Sequence, residues 1–251
     1  MKTLVMGNEI VKMFGHGDER QTVLKNVSVQ IEKGEFVAVM GPSGSGKSTL
    51  LFVLSGMESI DGGTVTFNGQ NLSQLSEDQL SKLRQTGMGF VFQQPTLLKN
   101  LDILDNILLP ALRGSHKNVA ELTKKAEMLM QKMGIEELKG RNITEVSGGQ
   151  LQRAGICRAL LMTPEIIFCD EPTGALNSKS ANETMKLFSQ INEEGVAILI
   201  VTHDAKVAAN AERVLFMRDG SIVDEMRISK TGNSIEENIK RVVQRLEYLE
   251  I

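Results

Sequence analysis

Residues Gly41-Pro42-Ser43-Gly44-Ser45-Gly46-Lys47-Ser48-Thr49 fit the pattern G-x-x-x-x-G-K-[ST], and the chemistry open to such a stretch is phosphate binding. Its glycines let successive backbone N–H groups turn inward around an anion, and a helix starting near Lys47 adds the positive end of its dipole. Lys47 would neutralise the β- and γ-phosphates, and the Ser48 hydroxyl would take one position on Mg²⁺. Two acids, Asp170 and Glu171, close the apolar run Ile166-Ile-Phe-Cys. At a strand tip the first can hold the metal, and the second can polarise an attacking water. His203 ends another apolar run, where it either hydrogen-bonds a γ-phosphate or is a strand-end histidine with no role. Gln93, after Phe90-Val-Phe, could reach the metal and the water. Ser147-Gly148-Gly149-Gln150 reads as an N-cap serine on a glycine-rich helix start, a second preformed anion site. Two such sites in one chain are most economically explained if the second serves a nucleotide bound mainly by another copy.

The elements that must position these residues follow from hydrophobic periodicity. Phe36 to Met40 is an uninterrupted apolar run, read as a strand buried on both faces. Glu165–Asp170, Val196–Val201 and Gly89–Gln93 have the same character, and each run ends in a polar residue or is followed directly by one, where ligands bind in open parallel sheets. Residues 3–12 and 21–32 read as strands of an antiparallel edge region, and Thr64–Phe67 as a strand ending at the Asn68-Gly69 turn. Ser76 caps a helix running toward Arg84. From about Thr96 to Leu161 the pattern turns helical, with helices over Ile103–Leu112 and Val119–Met133 and a third after Ser147, read as an inserted helical subdomain. A helix over Ser178–Ile191, a short one after Asp204 and a hairpin through Asp219-Gly220 complete the main domain, expected to span residues 1–228. The tail, 229–251, is amphipathic, with Ile235, Ile239, Val242, Leu246 and Leu249 on one face, and is expected to pack on its own domain. Strands alternating with helices give an α/β class.

Composition narrows the partners. The 251 residues are 41% hydrophobic and 24% charged, ordinary for a globular chain, and the net charge of −3 advertises no nucleic-acid partner. No apolar stretch approaches the ~20 residues that span a bilayer. Cys157 and Cys169 each sit among apolar neighbours in different elements, which favours reduced buried thiols over a disulfide. The three histidines, His16, His116 and His203, are scattered, and the first two fall in polar stretches expected at the surface. Phe14, before the polar stretch Gly15–Arg20, is either packing or a platform for a purine.

In their order along residues 3–226 these motifs resemble those of ATP-binding-cassette ATPases: Walker A at Gly41–Ser48, the Q-loop at Gln93, the signature at Ser147–Gln150, Walker B at Ile166–Asp170, Glu171 as base and His203 as switch histidine. The resemblance implies an α/β P-loop NTPase cassette with a mostly parallel core sheet, an antiparallel β subdomain and an inserted helical subdomain. It implies ATP and Mg²⁺ as ligands, Ser48, Gln93 and Asp170 as metal residues, and Phe14 as the adenine-stacking aromatic. It also implies a head-to-tail homodimer at the cytoplasmic face of a membrane, driving a separate permease. That permease would dock around Pro95–Leu101, where Asp102 and Asp105 suit a basic segment. Asp105–Pro110 and Asp170–Ser180 further resemble macrolide-exporter and lipoprotein-release subunits, with the bacitracin-resistance-type antimicrobial-peptide transporters the nearest expected group. A lipoprotein-release or cell-division-type cassette and a soluble non-transport cassette are the alternatives. Two positions depart from the family pattern. Val146 stands where leucine is usual before the signature, and Asn177 stands where the D-loop usually has aspartate, which predicts slower or less tightly coupled hydrolysis.

Overall fold

The computed structural model describes residues 2–15, 17–112, 119–229 and 234–251. His16 and His116 lie outside the described residues. Two sheets form the frame. Strands β1 (Thr3–Phe14), β2 (Gln21–Glu32), β3 (Phe36–Met40), β4 (Gly62–Phe67), β5 (Gln70–Asn71), β6 (Met88–Phe92), β7 (Ile166–Asp170), β8 (Ala197–Thr202), β9 (Arg213–Arg218) and β10 (Ser221–Arg227) divide between them. An antiparallel sheet runs β2-β1-β4-β5, and a six-stranded sheet runs β10-β9-β3-β8-β7-β6 with only β10 antiparallel.

The apolar runs are buried on both faces because successive side chains point to opposite sides. Val37 and Val39, with Ile166, Phe168, Leu199 and Val201, face a core shared with the antiparallel sheet and helix α1 (Lys47–Leu54). Phe36, Ala38 and Met40, with Ile167, Cys169, Ile198 and Ile200, face the opposite core. That second core is covered by α3 (Ile103–Leu112), α4 (Val119–Lys132), α5 (Gly148–Leu160) and α6 (Ser178–Glu193). Helix α2 (Glu77–Gly87) starts on a capping box between Ser76 and Gln79 and precedes β6.

Between β6 and its parallel neighbour β7 the chain makes α3, α4 and α5, so the helical segment is a long crossover. Residues Asn68 and Gly69 turn β4 into β5 with positive φ at both, as a two-residue hairpin requires. After α7 (Ala205–Ala208) and the β9–β10 hairpin, α8 (Ile235–Tyr248) returns to the core. On its expected apolar face Val242 is fully buried, and Leu246 and Leu249 pack against the helical-side core. Ile235 is exposed and Asn238, in the same first turn, is buried, so the expected apolar face does not hold at its first residue.

Candidate functional site

Strand register brings the sequence-distant candidates together. Met40 pairs with Thr202, Val201 with Asp170, and Asp170 with Phe92, so the C-terminal tips of β3, β8, β7 and β6 lie in a row. The phosphate loop leaves the first tip. Gly41 is required there because a Cβ would stand 2.2 Å from the Met217 carbonyl oxygen. Gly46, at φ 98°, turns the loop into α1 without offering a side-chain cap, which leaves the first N–H groups of the helix free for an anion.

Lys47 is almost buried, and its ammonium donates to the carbonyls of Gly41 at 2.8 Å and Pro42 at 2.9 Å. Burial pushes its pKa down, with Glu171 and Asp170 acting in the opposite direction. An under-compensated cation amid free N–H groups fits a polyphosphate. Ser45 Oγ, buried in the loop, has no partner among the described residues. Pro42, Ser43 and Gly44 form the loop's exposed crest, apart from Pro42's bonded carbonyl.

Ser48 Oγ donates to Asp170 Oδ1 at 2.9 Å, so the two proposed metal residues already meet. Burial raises the Asp170 pKa; the Ser48 bond opposes this, the Glu171 charge adds to it and Lys47 opposes it. A half-buried carboxylate with a hydroxyl beside it, lacking a full cationic partner, is a donor set that suits Mg²⁺ in the company of phosphate oxygens and water.

Glu171 follows at φ 46°, a left-handed conformation that costs a non-glycine residue about 1 kcal/mol. Its carboxylate is held at both oxygens: Thr202 Oγ1 donates to Oε2 at 3.2 Å, and His203 Nδ1 stands 2.8 Å from Oε1. An ionised carboxylate only accepts, so Nδ1 carries the proton and Nε2 faces away from Glu171. Thr202 was not singled out by sequence reading; its signal was its place at a strand tip next to His203.

Gln93 lies one residue past the Phe92–Asp170 pair, with its amide against Gly174. Phe14 ends β1, 43% exposed, with the Lys12 ammonium 4.9 Å from its ring centroid. Phe14 registers with Gln21, two residues before Val23, whose carbonyl approaches Gly46, so the ring stands on the flank of the phosphate loop. Thr49 continues α1.

The second anion site forms a separate group. Ser147 caps α5 by accepting from the Gln150 N–H, and Gln150 Oε1 accepts in return from Ser147 N. Gly149 lies so close to α6 that a Cβ would stand 2.9 Å from Ser180 Oγ. Gly148 faces Leu176, and Asn177 caps α6 by accepting from Ser180 N at 2.9 Å. Signature and D-loop are thus neighbours.

Beyond the strand tips lies a groove of roughly 760 Å³ between α2, β6, α3 and α5, lined by Met57, Arg84, Phe90, Phe92, Pro110 and Arg158 among others. Of the stretch Pro95–Leu101 it takes in Thr96. Asp102 is spent on capping α3, accepting from Asp105 N, and the charges on the groove are Asp78, Lys82, Arg84 and Arg158. Asp102 and Asp105 lie outside this groove, whose own charges are of both signs.

Comparison with known proteins agrees with this geometry. The sequence model of the ABC transporter family matches residues 24–174. The macrolide export ATP-binding/permease protein MacB of Mannheimia succiniciproducens is 40% identical over 232 residues, 92% of this chain and 36% of the relative. MacB of Neisseria meningitidis serogroup A is 39% identical over 97% of this chain and 37% of the relative. The chain thus spans about a third of the length of these curated relatives. Among solved structures, the dimeric cassette MJ0796 in a post-hydrolysis state with ADP and Pi superposes with a TM-score of 0.83 at 36% identity, covering 90% of this chain and 99% of that one. The ADP form of the cassette MJ1267 gives a TM-score of 0.83 at 27% identity, covering all of this chain and 98% of that one. With its nucleotide loop, acid pair and glycine-rich second helix start on this fold, the chain belongs to the ABC transporter family and is an ATPase cassette of it.

Proposed function

We propose that the chain hydrolyses ATP as one half of a head-to-tail homodimer and that closing and opening of this dimer drives a membrane permease at its cytoplasmic face. The observation that carries this is the Glu171 carboxylate, clamped by Thr202 and His203 beside Lys47 and the Ser48–Asp170 pair. Glu171 orients a water toward the γ-phosphate and takes its proton. His203, with Nε2 directed away from Glu171, accepts from the water, and donates to the γ-phosphate when Nε2 also carries a proton. Gly41–Thr49 hold the phosphates, Phe14 stacks on adenine, and Ser147–Gln150 of the other copy complete the site. Ser48 and Asp170 would hold Mg²⁺, with Gln93 just past the end of the neighbouring strand, and the ion would supply positive charge against the charge that develops on the phosphates.

The apolar groove at α2, α3 and α5, with Leu109 and Leu112 exposed beside it, suits a short permease segment with an acidic or neutral end. Among the described residues no helix is long and apolar enough to cross a membrane, and the curated relatives are named ATP-binding/permease proteins, so the transport path is assigned to a permease outside the residues described. The cargo follows from likeness alone: the relatives are named macrolide exporters, and the Ala175–Ser180 stretch resembles antimicrobial-peptide transporters. Export of an antimicrobial compound is the reading both support.

Its test is affinity capture of Glu171→Gln from solubilised native membranes with ATP. A polytopic protein that co-purifies and raises the ATPase rate of the wild-type chain supports the reading. Capture of ribosomal or other soluble partners alone would overturn the transporter assignment and leave the ATPase assignment standing.

A further inference from the structure

We infer that Gln152 is a positioning residue that links each chain's own nucleotide site to the signature it presents to its partner, an inference that rests on the dimer reading above. Gln152 lies on α5 two residues beyond the signature and is 1% exposed. Its Nε2 donates to the Phe92 carbonyl at 3.1 Å. Phe92 is the last residue of β6, pairs in register with Asp170 and immediately precedes Gln93. One side-chain amide therefore ties the signature helix to the strand tip that flanks the proposed metal residue.

The other half of that amide has no local purpose. Gln152 Oε1 is buried and has no hydrogen-bond partner among the described residues. A long polar side chain kept in an apolar setting, bonded at one end only, is a poor choice for packing, where methionine or leucine would fill the space without an orphaned acceptor. It suits an element with two arrangements, one of which satisfies the second half of the amide.

What Gln152 moves is well defined. At its N-terminal end α5 is fastened to α6 by the Gly149–Ser180 approach and by the Arg153–Glu183 ion pair at 2.6 Å. Arg153 also donates to the Met133 carbonyl. A displacement of the β6 tip when nucleotide binds is thus carried by Gln152 into α5, and from α5 to both Gly148–Gln150 and the Asn177 cap. Each chain's own site biases the surface that completes the partner's site, which makes the two sites cooperative.

The test is steady-state ATPase activity against ATP concentration for the full chain and for Gln152→Met, which keeps the volume and removes the bond. Binding of a fluorescent ATP to the dilute monomer and thermal melting accompany it. The wild type is expected to show a Hill coefficient approaching about two, and Gln152→Met about one. The maximal rate should fall by about three- to thirtyfold, with monomer nucleotide affinity unchanged. Gln152→Glu, which sets an acceptor against the Phe92 carbonyl, should behave likewise and serves if the methionine variant fails to fold. A folded variant with wild-type cooperativity and rate, or a loss confined to melting temperature, would overturn the inference. So would a wild type without cooperativity whose Glu171→Gln form still dimerises on ATP. Absence of any ATP-dependent dimer would instead overturn the dimer reading, and the inference with it.

Discussion

Asp170 and Glu171 are consecutive, yet their surroundings give them different work. Asp170 is raised in pKa by burial and meets only Ser48, whereas Glu171 is gripped at both oxygens in a left-handed backbone. A folded-state pKa above the unfolded value means that ionised Asp170 destabilises the nucleotide-free fold; the cost is full above the folded pKa and vanishes as pH falls toward the unfolded one. Asp170→Asn keeps an acceptor for Ser48 and should raise the melting temperature of the nucleotide-free chain at pH 7, with the gain shrinking on acidification. The same variant should lose the Mg²⁺-dependent part of ATP affinity, read by titration with and without the metal. Asn177 illustrates a residue whose local task is met by either amide or acid, since it caps α6 through one oxygen. Asn177→Asp should therefore fold at least as stably, gaining roughly 0.3–1 kcal/mol from charge at the helix N-terminus. It should also raise the steady-state ATPase rate; an unchanged rate would remove the view that asparagine slows hydrolysis. Cys157, its thiol pushed up to about 12 by burial, and Cys169, raised well above its ordinary value by burial, should both resist thiol reagents until the chain unfolds.

At the scale of elements, the strands and their polar tips were legible because they are uninterrupted apolar runs ending in chemistry, as Phe36–Gly41 and Ile166–Asp170 show. The helix starts at Ser76 and Ser147 were legible as capping residues, and both make capping boxes. What the sequence could not disclose was register. Nothing in the spacing of Thr202, 31 residues beyond Glu171, announces the bond between them; it follows from Val201 pairing with Asp170. Gln152 was invisible for the same reason, since its partner is a backbone carbonyl 60 residues away. The tail helix buries Val242 and packs Leu246 and Leu249, while Ile235 on the same face of the pattern is exposed, because periodicity marks a face without saying which of its residues meet the core. Val242 is its buried anchor, and the Arg245–Asp224 ion pair ties the next turn to β10. Val242→Ala should cost about 2 kcal/mol of stability, measured by denaturant unfolding. Its effect on nucleotide affinity should be small.

On the proposed reading, the whole molecule presents two incomplete halves of a nucleotide site. One half is the row of strand tips with the phosphate loop; the other is the N-terminus of α5, held beside that of α6. In the proposed dimer, two copies related by a two-fold axis would complete both sites at once, as closed symmetric dimers do. The 36%-identical cassette solved as a dimer with ADP and Pi is consistent with that arrangement. The most direct measurement is sedimentation velocity of Glu171→Gln with and without ATP, with hydrolysis measured on the same sample. The account predicts a monomer without ATP, a dimer with it, and hydrolysis lowered by roughly 10²–10⁴-fold. A variant that stays monomeric at saturating ATP, or that hydrolyses at the wild-type rate, would contradict it.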